Sequence, residues 1–319
     1  MRAASDISLV NLWQRDFPLE PRPFAAVGRR AGLSEAETIA RFADLRRDGV
    51  VDRIGPVFRP NTVGASSLAA MAVPPERLPQ VAALVSAQPG VNHNYQRAHQ
   101  YNLWFVATAT SAGEVERTLA RIESAAGLPV LRLPLLEEFH IDLGFDLATG
   151  VAPRARAQGS FPALTPAEEN LVAAIAPGLP LVPTPFAAVA AELGCPEAEV
   201  IERLRKMVAD GRIRRIGAVI RHRRLGYTAN AMVVWDVPDD AVSALGRAAA
   251  TDRAVTLCYR RARSLPEWPY NLYCMVHGRE QSRVLHEVKR ISVAHGLARY
   301  PRAVLFSERC FSQKAAAYG

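Results

Sequence analysis

Two stretches of the chain restate each other almost residue for residue. RPFAAVGRRAGLSEAETI (Arg22 to Ile39) realigns with TPFAAVAAELGCPEAEVI (Thr184 to Ile201), and DRIGPVFR (Asp52 to Arg59) with RRIGAVIR (Arg214 to Arg221), at a constant offset of 162 residues. Further on, VNHNYQR (Val91 to Arg97) matches VTLCYRR (Val255 to Arg261). YNLWF (Tyr101 to Phe105) matches YNLYC (Tyr270 to Cys274) once a short insertion, SLPEWP, is allowed in the second copy. Such a repeat governs the whole fold assignment, because whatever one copy forms the other must form too. Between the copies, ATGVAPRARAQGSFPALTP is rich in Ala, Gly, Pro and Ser and has no apolar periodicity, so it reads as a linker.

Each copy divides again. Its first part reads as a helix over Phe24 to Ala31, the turn GLS, a second helix over Glu35 to Asp48, and a small two-strand ribbon in GVVDRIGPVFR. Ser34 is suited to cap the second helix and Gly49 to end it, which gives a winged helix-turn-helix outline. Its later part alternates strand and helix in the order βαββαβ, the ferredoxin-like split unit. The predicted class is therefore α+β. The division is a winged helix-turn-helix over 1–62, a ferredoxin-like domain over 63–149, a linker over 150–163, a second winged helix-turn-helix over 164–224 and a second ferredoxin-like domain over 225–319.

A helix-turn-helix followed by βαββαβ resembles the Lrp/AsnC transcription regulators, here as two subunits fused head to tail. A net charge of +8 admits polyanionic partners, nucleic acid among them. A reading helix, however, sets its N-terminal side chains against bases and phosphates, and those positions hold Glu35, Glu37, Glu197 and Glu199. Carboxylates there argue against nucleic acid. The four cysteines form no CxxC pair and no zinc-ligand spacing with a histidine, so they read as reduced thiols and no metal site is expected. No apolar run approaches a membrane span and the N-terminus lacks a secretory core, which makes the cytoplasm the expected compartment.

Period-two geometry sorts the hairpin side chains. Val91, His93, Tyr95 and Arg97 are expected on one face, and their twins are Val255, Leu257, Tyr259 and Arg261. On the returning strands Asn102, Trp104, Val106 and Thr108 are matched by Asn271, Tyr273, Met275 and His277. The copies thus keep a frame of Tyr, Arg and Asn and carry one unshared histidine each.

The pair HNYQR...YNLWF and CYRR...WPYNLYCMVHG resembles the siroheme decarboxylases, which share the regulators' layout, and the fused form resembles the branch that serves heme d1 synthesis in denitrifiers. That resemblance implies loss of carbon dioxide from the two acetate side chains on rings C and D of siroheme, without a separate cofactor. The residues suit this chemistry: guanidinium forks for carboxylates, aromatic walls for the macrocycle, and a histidine to protonate the exocyclic carbon. On this reading His93 is the proton donor, Arg97 orients a carboxylate, and Tyr95 and Asn102 hold them, with Trp104 as a wall. Tyr259, Arg260, Arg261, Asn271 and Tyr273 grip further carboxylates and ring, and His277 is a second acid or an iron ligand. The implied partners are siroheme and paralogous decarboxylase chains, with self-association of an internal pseudo-dimer. Two other readings stay open: a regulator with a tetrapyrrole effector, and a tetrapyrrole-binding protein without catalysis.

Overall fold

The structure, a computed structural model, describes residues 4–141, 144 and 161–314. The expected linker lies outside them except for its last three residues. In the first copy the elements are α1 (Ala4–Leu12), α2 (Pro23–Ala31), α3 (Glu35–Arg47), β1 (Val51–Phe58), β2 (Ala65–Met71), α4 (Leu78–Ala87), β3 (Val91–Arg97), β4 (Leu103–Ala109), α5 (Ala112–Ala126) and β5 (Leu131–Ile141). The second copy repeats them as α6 (Pro166–Ile175), α7 (Pro185–Leu193), α8 (Glu197–Ala209), β6 (Ile213–Ile220), β7 (Ala229–Trp235), α9 (Val242–Ala249), β8 (Val255–Arg261), β9 (Leu272–Gly278), α10 (Gln281–Ala294) and β10 (Arg302–Gln313). Among the described residues no helix is long and apolar enough to cross a membrane.

Contacts gather like parts together. Residues 4–63 and 161–226 form one unit, and residues 64–141 and 227–314 form another. In the first unit the acids at the start of α3 have local partners. Glu37 closes a capping box with Ser34, and Glu35 pairs with Arg22. The two-strand ribbon expected within each copy is instead made once, between copies: β1 pairs antiparallel with β6, Ile54 opposite Ala218 and Gly55 opposite Gly217. The reason is local, since VDRIGPVF runs extended through eight residues with no turn, and each strand finds its partner in its twin.

A buried ion pair fastens the second-copy part of this unit. Arg212, 1% exposed, donates to both Glu168 oxygens at 2.8 and 3.1 Å and to Asp210 at 2.9 Å. The Arg212 guanidinium holds the Glu168 carboxyl down to about 2. A carboxyl depressed on folding stabilises above its unfolded pKa and loses that contribution as pH falls towards the folded one. Glu168→Gln should therefore cost about 3 kcal/mol at neutral pH and flatten the loss of stability between about pH 4.5 and 2, measured by denaturant titration across pH.

In the second unit the two ferredoxin-like sheets close into one barrel, ordered β10-β3-β4-β2-β5-β8-β9-β7. Each copy's last strand is long enough to serve both sheets. β5 pairs with β2 through Pro134 and then with β8 from Leu135, and β10 pairs with β7 through Phe306 and then with β3 from Ser307. The crossing strand carries a core residue with it. Phe139 of β5 packs among α9, α10 and β8 residues of the other copy, and Gly246 of α9 is the small residue that admits it, since a Cβ there would meet the Phe139 ring at 2.1 Å. Gly246→Ala should overpack this seam and cost roughly 1–3 kcal/mol in thermal unfolding.

Candidate active site

Three apolar clusters sort the barrel's faces. Two include helix residues and lie between strands and helices. The third has none, and joins Leu68, Ala70, Trp104 and Leu133 to Met232, Tyr259, Tyr273 and Leu305, so it is the barrel interior. Both copies build it.

The first hairpin strand reaches this interior through a β-bulge. Register slips between Val91 and His93 in β3 and between Val255 and Leu257 in β8. The extra residue flips the parity, so Val91 and Val255 turn to the helix cores rather than sharing a face with His93 and Leu257. Asn94 marks the outer side, its amide donating to Ala82 O and Ser86 Oγ of α4, both at 3.0 Å. His93, Tyr95 and Arg97 lie on the opposite, inner side.

There the three form a row. The His93 and Tyr95 rings stack with centroids 6.3 Å apart, and the Arg97 guanidinium lies 6.0 Å from the Tyr95 ring centre. β10 of the other copy completes the row. The Tyr95 hydroxyl donates to Gln313 Oε1 at 3.0 Å, and Arg97 Nη1 donates to Ser307 Oγ at 3.0 Å and Leu305 O at 3.1 Å. Gln313 sits opposite His93 in the ladder. Ser307 and Gln313 were invisible as site residues in the sequence, because only the strand exchange brings them to β3.

The twin row keeps the frame and loses the polar end. Arg261 Nη1 donates to Leu133 O at 2.7 Å and lies 4.6 Å from the Tyr259 ring centre, which matches Arg97 on Leu305 O and over Tyr95. At the positions of His93 and Gln313, however, stand Leu257 and Ile141, paired across β8 and β5.

Between the rows lies an aromatic plug. Trp268, from the insertion SLPEWP, is 1% exposed and touches the rings of His99, Tyr101, Trp104 and Tyr270 at centroid distances of 5.4, 5.8, 5.0 and 4.9 Å. Its indole N–H donates to the Tyr273 hydroxyl at 2.7 Å, and burial pushes that phenol well above its ordinary range. Trp104 donates to Tyr101 O at 2.6 Å. Trp104 and Tyr273, expected as ligand walls, are packed into this cluster. His99 is half-buried beside Trp268, and burial lowers its pKa.

Other expected positions fall elsewhere. Asn102, expected to hold His93 and Arg97, and Asn271, expected to grip the substrate, instead each grip one backbone residue. Asn102 bonds Val73 N and O at 3.0 and 2.8 Å, and Asn271 bonds Val237 N and O at 3.0 and 2.9 Å. Both amides are consumed in fastening the strand that precedes each helix region. Arg260 follows Tyr259 and so alternates to the outer side of β8, where it donates to Asp239 at 2.8 Å. His277 bonds Thr256 Oγ1 through Nδ1 at 2.9 Å and lines a separate cleft. Two of the cysteines are neighbours in space: Cys258 and Cys274 face each other across β8 and β9, Sγ to Sγ 3.4 Å. Among the described residues no group of three or more His, Cys, Asp or Glu is placed to hold a metal.

Comparison with known proteins settles the family. The AsnC-like ligand binding domain matches residues 63–140 and 224–312, and the siroheme decarboxylase NirDL-like HTH domain matches residues 6–51 and 168–214. A siroheme decarboxylase NirDL subunit of Paracoccus denitrificans is 47% identical over 316 residues, covering 98% of this chain and 96% of that one. The chain belongs to the siroheme decarboxylases. A further siroheme decarboxylase, from Hydrogenobacter thermophilus, is 35% identical over 96% of this chain and 92% of its own. The crystal structure of the siroheme decarboxylase NirDL superposes with a TM-score of 0.71 at 30% identity, covering 98% of this chain and 94% of that one. The same protein has also been solved in co-complex with an iron-uroporphyrin III analogue. Half-length siroheme decarboxylase subunits match too, such as the NirD subunit of Stutzerimonas stutzeri, 48% identical over 44% of this chain and 91% of that one.

Proposed function

We propose that this chain is a carboxy-lyase that removes carbon dioxide from the two acetate side chains on rings C and D of siroheme, giving 12,18-didecarboxysiroheme, and that it does so at the His93 row. The observation that carries the assignment is the asymmetry of the two rows. A common Tyr–Arg frame is kept twice, while a proton-transferring side chain and a hydrogen-bonding companion stand at one end only. Full-length kinship with siroheme decarboxylases supports the substrate, and guanidinium forks with aromatic neighbours suit a flat ring edged by carboxylates.

The step balances with the residues in hand. The bond between the exocyclic carbon and its carboxylate breaks, carbon dioxide leaves, and the electron pair passes into the conjugated ring. His93 delivers a proton that turns the exocyclic carbon into a methyl group, and water reprotonates the imidazole. Arg97, its Nη1 fixed by Leu305 O and Ser307 Oγ, orients a carboxylate, and Tyr95 keeps the His93 ring in place by stacking. No separate organic cofactor enters this sequence. Relatives that exist as separate half-length subunits support partner chains of the same kind.

Gln313 tests the composite site. Gln313→Leu removes the acceptor of the Tyr95 hydroxyl and should lower single-turnover decarboxylation about fivefold, the worth of about one neutral hydrogen bond, with siroheme affinity little changed. An unaltered rate would take β10 out of the site.

A further inference from the structure

The cleft that holds His277 is a second, chemically different opening of the barrel unit. Its volume is about 980 Å³, and it lies in the second copy between the α9–β8 turn, the β9–α10 turn and one side of α10 from Arg283 to its end at His295. That size is at the upper end for small-molecule sites.

Its polar lining is peculiar to this copy. Tyr227, Arg253, His277, Arg279, Arg283 and His295 stand where the first copy has Val63, Pro89, Thr108, Thr110, Glu114 and Ala126. Both copies fold to the same βαββαβ plan, so the fold does not need these six side chains.

The charges are not simply paired off. Asp252 and Glu287 are bound by Arg290 at 2.7 and 2.8 Å, His295 adds a contact to Asp252 at 3.1 Å, and Glu280 is bound by Arg283 at 3.2 Å. Burial works against the Asp252 carboxylate, yet Arg290, the Ala254 N–H and His295 together hold it down to about 2. With the cleft's three acids so engaged, Arg253 and Arg279 are left over. Neither has a carboxylate partner among the described residues, and Arg279 is aligned over the Tyr227 ring at 5.0 Å.

We propose that this cleft binds a small anion with two or more carboxylate or phosphate groups, held by Arg253 and Arg279, with His277 in its lining. Guanidinium forks match either oxyanion, and an aromatic ring beneath one of them pre-orients it. The site is separate from the His93 row and stands whether or not that row decarboxylates siroheme.

Isothermal titration of the full chain with citrate and with inorganic pyrophosphate separates carboxylate from phosphate as the favoured group. One of the two should bind saturably, and Arg253→Ala and Arg279→Ala should each weaken it at least about tenfold, the worth of one charge-assisted contact. Arg299→Ala is the matched control: Arg299 is also exposed and lies 5.0 Å over a ring, that of Tyr300, but outside the cleft. It should leave binding unchanged, as should His93→Ala. Absence of saturable binding by both probes overturns the proposal, and so does an Arg299→Ala effect as large as those of the cleft arginines.

Discussion

His93→Ala should slow carbon dioxide release from siroheme by about 100- to 10,000-fold while siroheme still binds. That range is what a positioned general acid contributes. Binding survives because Arg97 and Tyr95 take their positions from β10 of the other copy rather than from the imidazole, through Ser307, Leu305 and Gln313. The check is a pair of anaerobic measurements on one preparation, a siroheme titration and a single-turnover assay of product. The reciprocal change at the twin position is informative too. Leu257→Ala alters an apolar contact and no proton chemistry, so its rate should stay near that of the unaltered chain. Equal losses from both variants would mean that the barrel, not the acid, had been damaged.

Trp268→Ala should be the most destabilising single change in the barrel unit. The side chain is fully enclosed, touches four other rings and donates to Tyr273, which would be left buried with an unmatched hydroxyl. Emptying such a site costs about 3–5 kcal/mol, equivalent to a fall of roughly 6–20 °C in the midpoint of a unit of this size. Calorimetry measures it directly. Trp268→Phe, which keeps most of the volume and loses only the N–H, should recover the greater part. If the alanine variant melts within a degree or two of the parent, the plug does not hold the barrel interior together.

The plan of the fold was open to reading because the chain states it twice, and helix limits such as Ser34 before α3 follow from residues a few positions away. What could not be read is everything made between the copies. The β1–β6 ribbon, the exchange of β5 and β10, and therefore Ser307 and Gln313 beside β3, depend on pairing between residues more than a hundred and ten positions apart, for which a single sequence carries no local signal. The bulges at Asn92 and Thr256 defeated strict alternation, which is why Val91 and Val255 were placed on the wrong face.

The candidate residues separate by a rule visible afterwards. Asn102 and Asn271, kept in both copies, serve the backbone, and Tyr95 with Arg97 and Tyr259 with Arg261 form the shared frame. The unshared residues, His93 against Leu257 and His277 against Thr108, mark where the two halves part in task. Trp268 had a signal of the same kind, an aromatic inside an insertion that distinguishes the copies, but only the closed barrel shows that it packs against the first copy's Tyr101 and Trp104.

The central claim is that the His93 row decarboxylates siroheme. Anaerobic incubation of the chain with siroheme, followed by mass analysis of the tetrapyrrole, tests it most directly. The account predicts conversion to a product that has lost two carboxyl groups as carbon dioxide, slowed about 100- to 10,000-fold by His93→Ala and retained in Leu257→Ala. Siroheme that binds and is recovered with its mass unchanged would contradict it.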